Sequence, residues 1–309
     1  MGCSQGALSK LLIDPTSSFD ASSERYDYLW EDVVKNGRII GARSITGTRS
    51  GYTGITREGQ YTVGGRISTY TSPADLDNWL PRVLGAAESS DDFALDESIP
   101  AFYMLIDRVG AVFQYNGCYV DRAVWRGSSG PGDDEPELVE QILTVIGQTE
   151  TLGTSWPSPE PSLSVAANRN PYSMAVSTLT VNGVTYQFKS FVLMVDNHVR
   201  PRWVNSLYAT ALCPADRTVI LRVTVPFTSA DDAVYSGLYY GNSITGVDAS
   251  LVFTNTNVST TFTFTGLQWA QSSPHVEGKK EINLEIDFIA RRTGSSGEIE
   301  VTNDSNAGA

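Results

Sequence analysis

A mainly β protein is expected here: two copies of one β-sandwich or small barrel, each carrying a single short helix. Three observations lead to it. Of the 309 residues 41% are hydrophobic and only 18% charged, which excludes a disordered chain and a solenoid of charged helices. Gly (27) and Pro (14) punctuate short runs rich in Thr, Ser, Val, Tyr and Phe, a mixture that favours strands and turns. An ordered series of strand, hairpin, strand, capped helix, hairpin and closing strand then occurs twice.

Residues 1–37 are polar and irregular and read as an arm that becomes ordered against another surface, with one short helix expected at Glu24–Val34. Strands begin at Arg38–Ile45, followed by a Gly/Thr/Ser-rich hairpin tip at Thr46–Glu58. Gln60–Thr71 is a long strand on which Tyr61, Val63 and Ile67 share one face. Within it, Gly64-Gly65 marks a bulge or close packing rather than a phosphate cradle. A helix follows, with Ser72 as N-cap, Pro73 at its first position and Asp75 suiting the positive end of its dipole. Leu76, Leu80, Val83 and Leu84 form its apolar stripe and Gly85 ends it; Pro81 should bend it or set its second half apart. After a Ser/Asp loop at Glu88–Ser98, strands are expected at Ala101–Asp107, Ala111–Tyr115, Cys118–Trp125 and Leu138–Gly147, with an acidic tip at Gly127–Glu135.

The stretch Ser155-Trp156-Pro157-Ser158-Pro159-Glu160-Pro161 is extended, because a residue ahead of proline avoids the helical region, and it opens a linker over residues 155–185. The pattern then restarts. Tyr186–Val195 is a strand, Asn197–Arg217 a long hairpin excursion and Val219–Phe227 a strand. Ser229–Asp232 opens a second capped helix, with Val234 and Leu238 leading to Gly241. TYTSPADLDNWLPRVLG answers PFTSADDAVYSGLYYG, with Ser72 against Ser229 and Asp75 against Asp232. Phe113–Cys118 answers Phe262–Leu267, and the closing strand Leu138–Gly147 answers Glu281–Ala290. Two domains follow, 38–154 and 186–293, with a tail at 294–309; one large sandwich with look-alike hairpins is the alternative.

Catalytic signatures are missing. His198 and His275 lack a second metal ligand at suitable spacing, and no GxSxG, HExxH or GxxxxGK[ST] occurs. Cys3, Cys118 and Cys213 have no CxxC spacing and read as thiols in a reducing compartment. Acidic pairs such as Asp91-Asp92, Asp133-Asp134 and Asp231-Asp232 lie in polar turns or helix starts, where solvation explains them better than glycoside hydrolysis. No cofactor or metal is expected. No run approaches the roughly 18 apolar residues of a membrane-crossing helix, and the N-terminus has no basic region ahead of an apolar core. Lys+Arg 22 against Asp+Glu 35 gives a net charge of −13, which argues against a grip on nucleic acid.

Gly47-Thr48-Arg49-Ser50, then TREGQYTVGGRISTYTSPADLDNWLPRVLGAAES (Thr56–Ser89), PAFYMLIDRVGAVFQYNGC (Pro100–Cys118) and the terminal VTNDS resemble the major tail tube proteins of long-tailed (siphovirus-like) bacteriophages. The similarity runs from about Arg38 to the C-terminus. It implies a structural virion protein of the viral tail, assembled in the host cytoplasm. Its rings stack into a hollow tube that conducts the phage genome into the host. Single-copy relatives form six-membered rings, so a doubled chain implies a homotrimer as a pseudo-hexameric ring. The resemblance also implies tape measure, tail terminator and tail-tip proteins as partners, with double-stranded DNA passing without tight binding.

In such a ring, sheets of neighbouring copies pair edge to edge and close an inner barrel, which removes exposed edges. Glu140, Glu281, Glu285 and Asp287 are the candidate lumen residues: a negative wall repels the duplex within roughly 8–10 Å at physiological salt. Head-to-tail stacking is a heterologous contact that does not close. The hairpin excursions supply the inter-ring candidates Thr48, Arg49, Tyr52, Trp203, Val204, Leu207 and Tyr208. The competing reading is a carbohydrate-binding or adhesive β-sandwich, since six Trp and 14 Tyr can stack on sugars.

Overall fold

The computed structural model describes residues 6–41, 56–86, 89–129, 137–161, 169–227, 243–256, 258–270, 282–294 and 297–305. In chain order the strands are β1 (Lys10–Asp14), β2 (Glu24–Tyr26), β3 (Trp30–Glu31), β4 (Val34–Asn36), β5 (Ile39–Gly41), β6 (Thr56–Glu58) and β7 (Thr62–Tyr70). After helix α1 (Pro73–Leu84) come β8 (Asp92–Phe93), β9 (Phe102–Asp107), β10 (Val112–Ser128), β11 (Glu140–Gly147) and β12 (Thr149–Leu152). Then follow β13 (Thr178–Val181), β14 (Val184–Tyr186), β15 (Ser190–Asp196), β16 (Arg200–Arg202), β17 (Ala211–Cys213) and β18 (Thr218–Pro226). The last are β19 (Ser243–Asn255), β20 (Val258–Trp269), β21 (Asn283–Ala290) and β22 (Glu300–Asp304).

Eighteen of these strands form one antiparallel array, while β5–β6 and β16–β17 are separate two-stranded ribbons. The array has a central sheet ordered β3/β4–β7–β11–β10–β15–β18–β21–β20. Two wings extend from it, β2–β1–β9–β10–β12 and β14–β13–β19–β20–β22. Their registers run in parallel. In the first wing Tyr26, Leu11, Ile106, Phe113 and Leu152 lie opposite one another in a single cross-strand row. In the second, Tyr186, Leu179, Leu251, Phe262 and Val301 do the same.

Wings, central sheet and helix enclose one continuous core. Aromatic contacts tie its halves together: Trp125 lies 5.3 Å from Phe262, and Phe253 packs on Phe191, Phe262 and Tyr172. The helix forms as its sequence dictates. Ser72 caps it by accepting from the Asp75 N–H (3.2 Å), and Gly85 ends it at φ 104°, a conformation that glycine tolerates. Leu76, Trp79, Leu80, Val83 and Leu84 are wholly buried, each such side chain contributing about 1.5–3 kcal/mol. The second half is not set apart at Pro81: α1 continues through the proline to Leu84, its apolar face buried on both sides of it. A buried polar relay fastens α1 to the second wing. Asn303 donates to the carbonyl of Pro73 (2.9 Å) and to Asp77, and accepts from Thr260, which in turn bonds Tyr172.

Other local expectations are corrected. Glu24–Val34 is not helical; its buried residues Tyr26 and Val33 belong to the β2–β4 region. Ahead of it, in the segment read as an arm, β1 buries Leu11, Leu12 and Ile13 between β2 and β9. The two strands expected at Ala111–Tyr115 and Cys118–Trp125 are one strand, β10, with an irregularity between Tyr115 and Cys118 where Gly117 adopts φ 59°. There β10 passes from wing to central sheet. The span read as a linker carries fully buried Tyr172 and strand β13, and the loop and tail at 88–98 and 294–309 meet as the β8–β22 pair. Of the strand expected at Arg38–Ile45, Ile39–Gly41 forms β5. The second capped helix, Ser229–Gly241, lies outside the described residues.

Gly64 and Gly65 do mark close packing. A Cβ on Gly65 would stand 2.5 Å from Val33 Cα, and one on Gly64 would stand 2.7 Å from the Val145 carbonyl oxygen. Both glycines let β3/β4 and β11 approach β7 from its two sides.

Candidate functional site

Strand periodicity gives the central sheet one face on the core and one facing outward. Three cross-strand rows cross the outward face. The first runs Tyr70, Glu140, Arg126, Val192, Arg222, Asp287. The second is Trp30, Ser68, Ile142, Val124, Met194, Ile220, Ile289, and from Ile142 onward all of it is apolar and half-buried. The third is Arg66, Thr144, Arg122, Asp196, Thr218. An apolar stripe therefore lies between two charged rows.

Those charges pair with one another. Arg126 meets Glu140 at 2.7 Å, Arg122 meets Asp196 at 2.5 Å, Arg66 meets Asp32 at 2.8 Å, and Arg222 meets Asp287 at 2.6 Å and Glu285 at 3.2 Å. The Arg222 hydrogen bonds hold the Asp287 carboxyl below its ordinary value, so the pair stays ionised through neutral pH. Four arginines thus face five carboxylates in these pairs, and each guanidinium is engaged.

Of the predicted lumen residues, Glu285 and Asp287 are exposed on this face. Glu140 is buried, accepting from Ser68 and Arg126, and Glu281 lies outside the described residues. Thr48, Arg49 and Tyr52 also lie outside them. The second excursion divides in two. Val199, Ala209, Leu212 and Trp203 pack on Tyr119 and Ile146, whereas Val204, Leu207 and Tyr208 are exposed. Its tip still touches the first half, because the Leu207 carbonyl accepts from the Tyr61 N–H (2.9 Å) and Gln148 donates to the Thr210 carbonyl (3.2 Å).

The arginine partners were not legible in the sequence, since Arg122 and Asp196 stand 74 residues apart. Among the described residues no group of three or more His, Cys, Asp or Glu side chains is placed to hold a metal ion.

The architecture is that of a structural protein: a broad antiparallel sheet whose outward-face charges pair with one another, and which ends at β3/β4, paired only with β7 among the described residues. A family model of phage tail tube proteins matches residues 6–290, and the chain belongs to that family. It is a structural, non-enzymatic tail tube subunit of the virion tail, which self-assembles with other tail proteins. Among curated proteins none matches the chain.

Proposed function

We propose that the chain is a doubled tube subunit, three copies of which close a pseudo-sixfold ring, and that stacked rings form the conduit for the phage genome. The observation that carries this reading is the β10–β15 pair. Seven residue pairs from Arg122↔Asp196 to Ser128↔Ser190 join β3/β4–β7–β11–β10 to β15–β18–β21–β20 edge to edge within one chain. That is the contact a ring of such units needs. Support also comes from the matched wing registers, in which Phe113↔Leu152 answers Phe262↔Val301. A smaller echo lies at the strand crossings: Gln148 donates its N–H to the Asn116 carbonyl, and Arg291 donates its own to Gly266 (both 3.0 Å). These rows extend the units to about Lys10–Leu152 and Thr178–Asp304, beyond the 38–154 and 186–293 boundaries read from sequence.

On this reading the outward face lines the lumen, with Glu285 and Asp287 as exposed wall residues and Glu140 holding Arg126 of the wall from a buried position. A duplex sliding past many subunits must not stick to them, and phosphates bind where Lys or Arg can neutralise them. A wall whose arginines are already held by carboxylates offers no such partner. The exposed tip residues Val204, Leu207 and Tyr208 face the next ring, while tape measure, terminator and tail-tip proteins act at the core and ends of the tube. Purified protein mixed with tail-tip complex and viewed by negative-stain electron microscopy tests the function: hollow tubes are expected. A chain that stays monomeric with the seed present contradicts it.

A further inference from the structure

We infer that the outer side of the first half is the seat for the second half of another copy of this chain. This rests on the doubled-subunit reading and names the surface by which rings close.

Three features of that side each have a counterpart engaged at the internal junction. The first is a strand edge. β15 pairs with β18 on one side and β10 on the other, whereas β3/β4, its counterpart beside β7, pairs only with β7 among the described residues. The second is a side chain. Leu152 and Val301 occupy the same place in the two wing rows, opposite Phe113 and Phe262. Val301 is 0% exposed, within the core, and its strand has β8 of the first half paired beside it through Phe93. Leu152 is 63% exposed, with no strand beside β12 other than β10 among the described residues. The third is a ribbon. The β16–β17 excursion rests on Tyr119 and Ile146 of the first half, but all six residues of β5–β6 are exposed, Ile39 at 80%.

Each of these features is therefore one that the internal junction covers, repeated at the far side of the chain with no further strand paired to it among the described residues. There the Arg108 and Tyr115 side chains reach β3/β4, through Glu31 and the Val33 carbonyl. A monomer gains nothing by exposing Leu152, Ile39, Ile40, Leu29 and Val34, and exposed apolar side chains on strands with an unpaired edge mark an association surface. At the internal junction these features of the second half are covered by the first half, so on the first half the same features are covered by the unit that precedes it in the ring, the second half of a neighbouring copy. The contact is head-to-tail, and three repeats close it.

The test uses tubes assembled from an equal mixture of isotopically light and heavy chains carrying a photo-crosslinking residue at position 152. The expected product joins position 152 of one isotope to peptides from residues 178–305 of the other. Crosslinks from 152 to the first half of another chain, or an absence of light–heavy crosslinks in normally formed tubes, overturn the seam and leave the tube reading intact. Failure of the unmodified chain to form tubes on a tail-tip seed overturns the tube reading and the seam with it. Leu152→Glu gives a second readout. At so exposed a position it leaves the monomer's thermal unfolding unchanged but raises the critical concentration for assembly about tenfold or more. Assembly at the unmodified concentration contradicts the proposal.

Discussion

Replacing Glu285 by Gln and Asp287 by Asn removes both carboxylates that hold Arg222, at 3.2 and 2.6 Å. All three side chains are more than half exposed, so the pairs contribute only about 0–1 kcal/mol and the chain should fold and assemble normally. The consequence is electrostatic. Four arginines against five carboxylates in the outward-face pairs become four against three, so their balance changes from −1 to +1. Arg222 then reaches for phosphate. Each phosphate it neutralises adds about 0.9 to the slope of log affinity against log salt. The assay is retention of a short fluorescent duplex by assembled tubes between about 50 and 200 mM salt. Unmodified tubes should retain little DNA with a shallow slope, and the double variant should retain more with a steeper one. Adding Arg222→Gln should restore the original behaviour. Unchanged retention in the double variant, or retention that survives loss of Arg222, would refute the argument that paired arginines keep the wall from binding DNA.

Three further outcomes follow from the packing. Gly65→Ala places a Cβ against Val33 Cα and the Asp32 carbonyl and should cost about 1–3 kcal/mol, read as a lower denaturation midpoint. Asn303→Ala removes the hydrogen bonds to the Pro73 carbonyl and from Thr260, which keeps only Tyr172, and should cost about 1–3 kcal/mol, measured the same way. Burial raises the Asp75 carboxyl above 3.8, so its favourable contribution is complete below that value and is lost as pH rises through the folded pKa. The stability of Asp75→Asn relative to the unmodified chain should therefore increase between about pH 4 and pH 7 in paired denaturation curves.

Features set by near neighbours were legible in the sequence. Ser72, Pro73 and Gly85 fix the ends of α1 through their own backbone chemistry, and Gly64-Gly65 announces close packing because nothing larger fits. Strands β18 and β21 follow from alternation, and β7, β9 and β11 from short runs rich in β-branched, aromatic and other apolar residues. What failed depended on distant partners. In Glu24–Val34, Tyr26, Trp30 and Val33 are spaced like a helical stripe, yet pairing with β1 and β7 pulls the segment into strands. β1 carries only Leu11, Leu12 and Ile13 as signal, too short to distinguish from a loop without knowledge of β9. The channel-wall reading foresaw exposed carboxylates at Glu285 and Asp287 but not their arginine, because cross-strand register is invisible to local pattern. Glu140 shows the same limit: its burial comes from Ser68 and Arg126 on neighbouring strands.

The central claim is that one chain supplies two units of a sixfold wall. Cryo-electron microscopy of assembled tubes, together with mass per unit length, tests it most directly. Three chains per ring should appear, with β10–β15 junctions inside chains alternating with junctions between chains at β3/β4. Six chains per ring, or rings in which β3/β4 remains at a free edge, would contradict it.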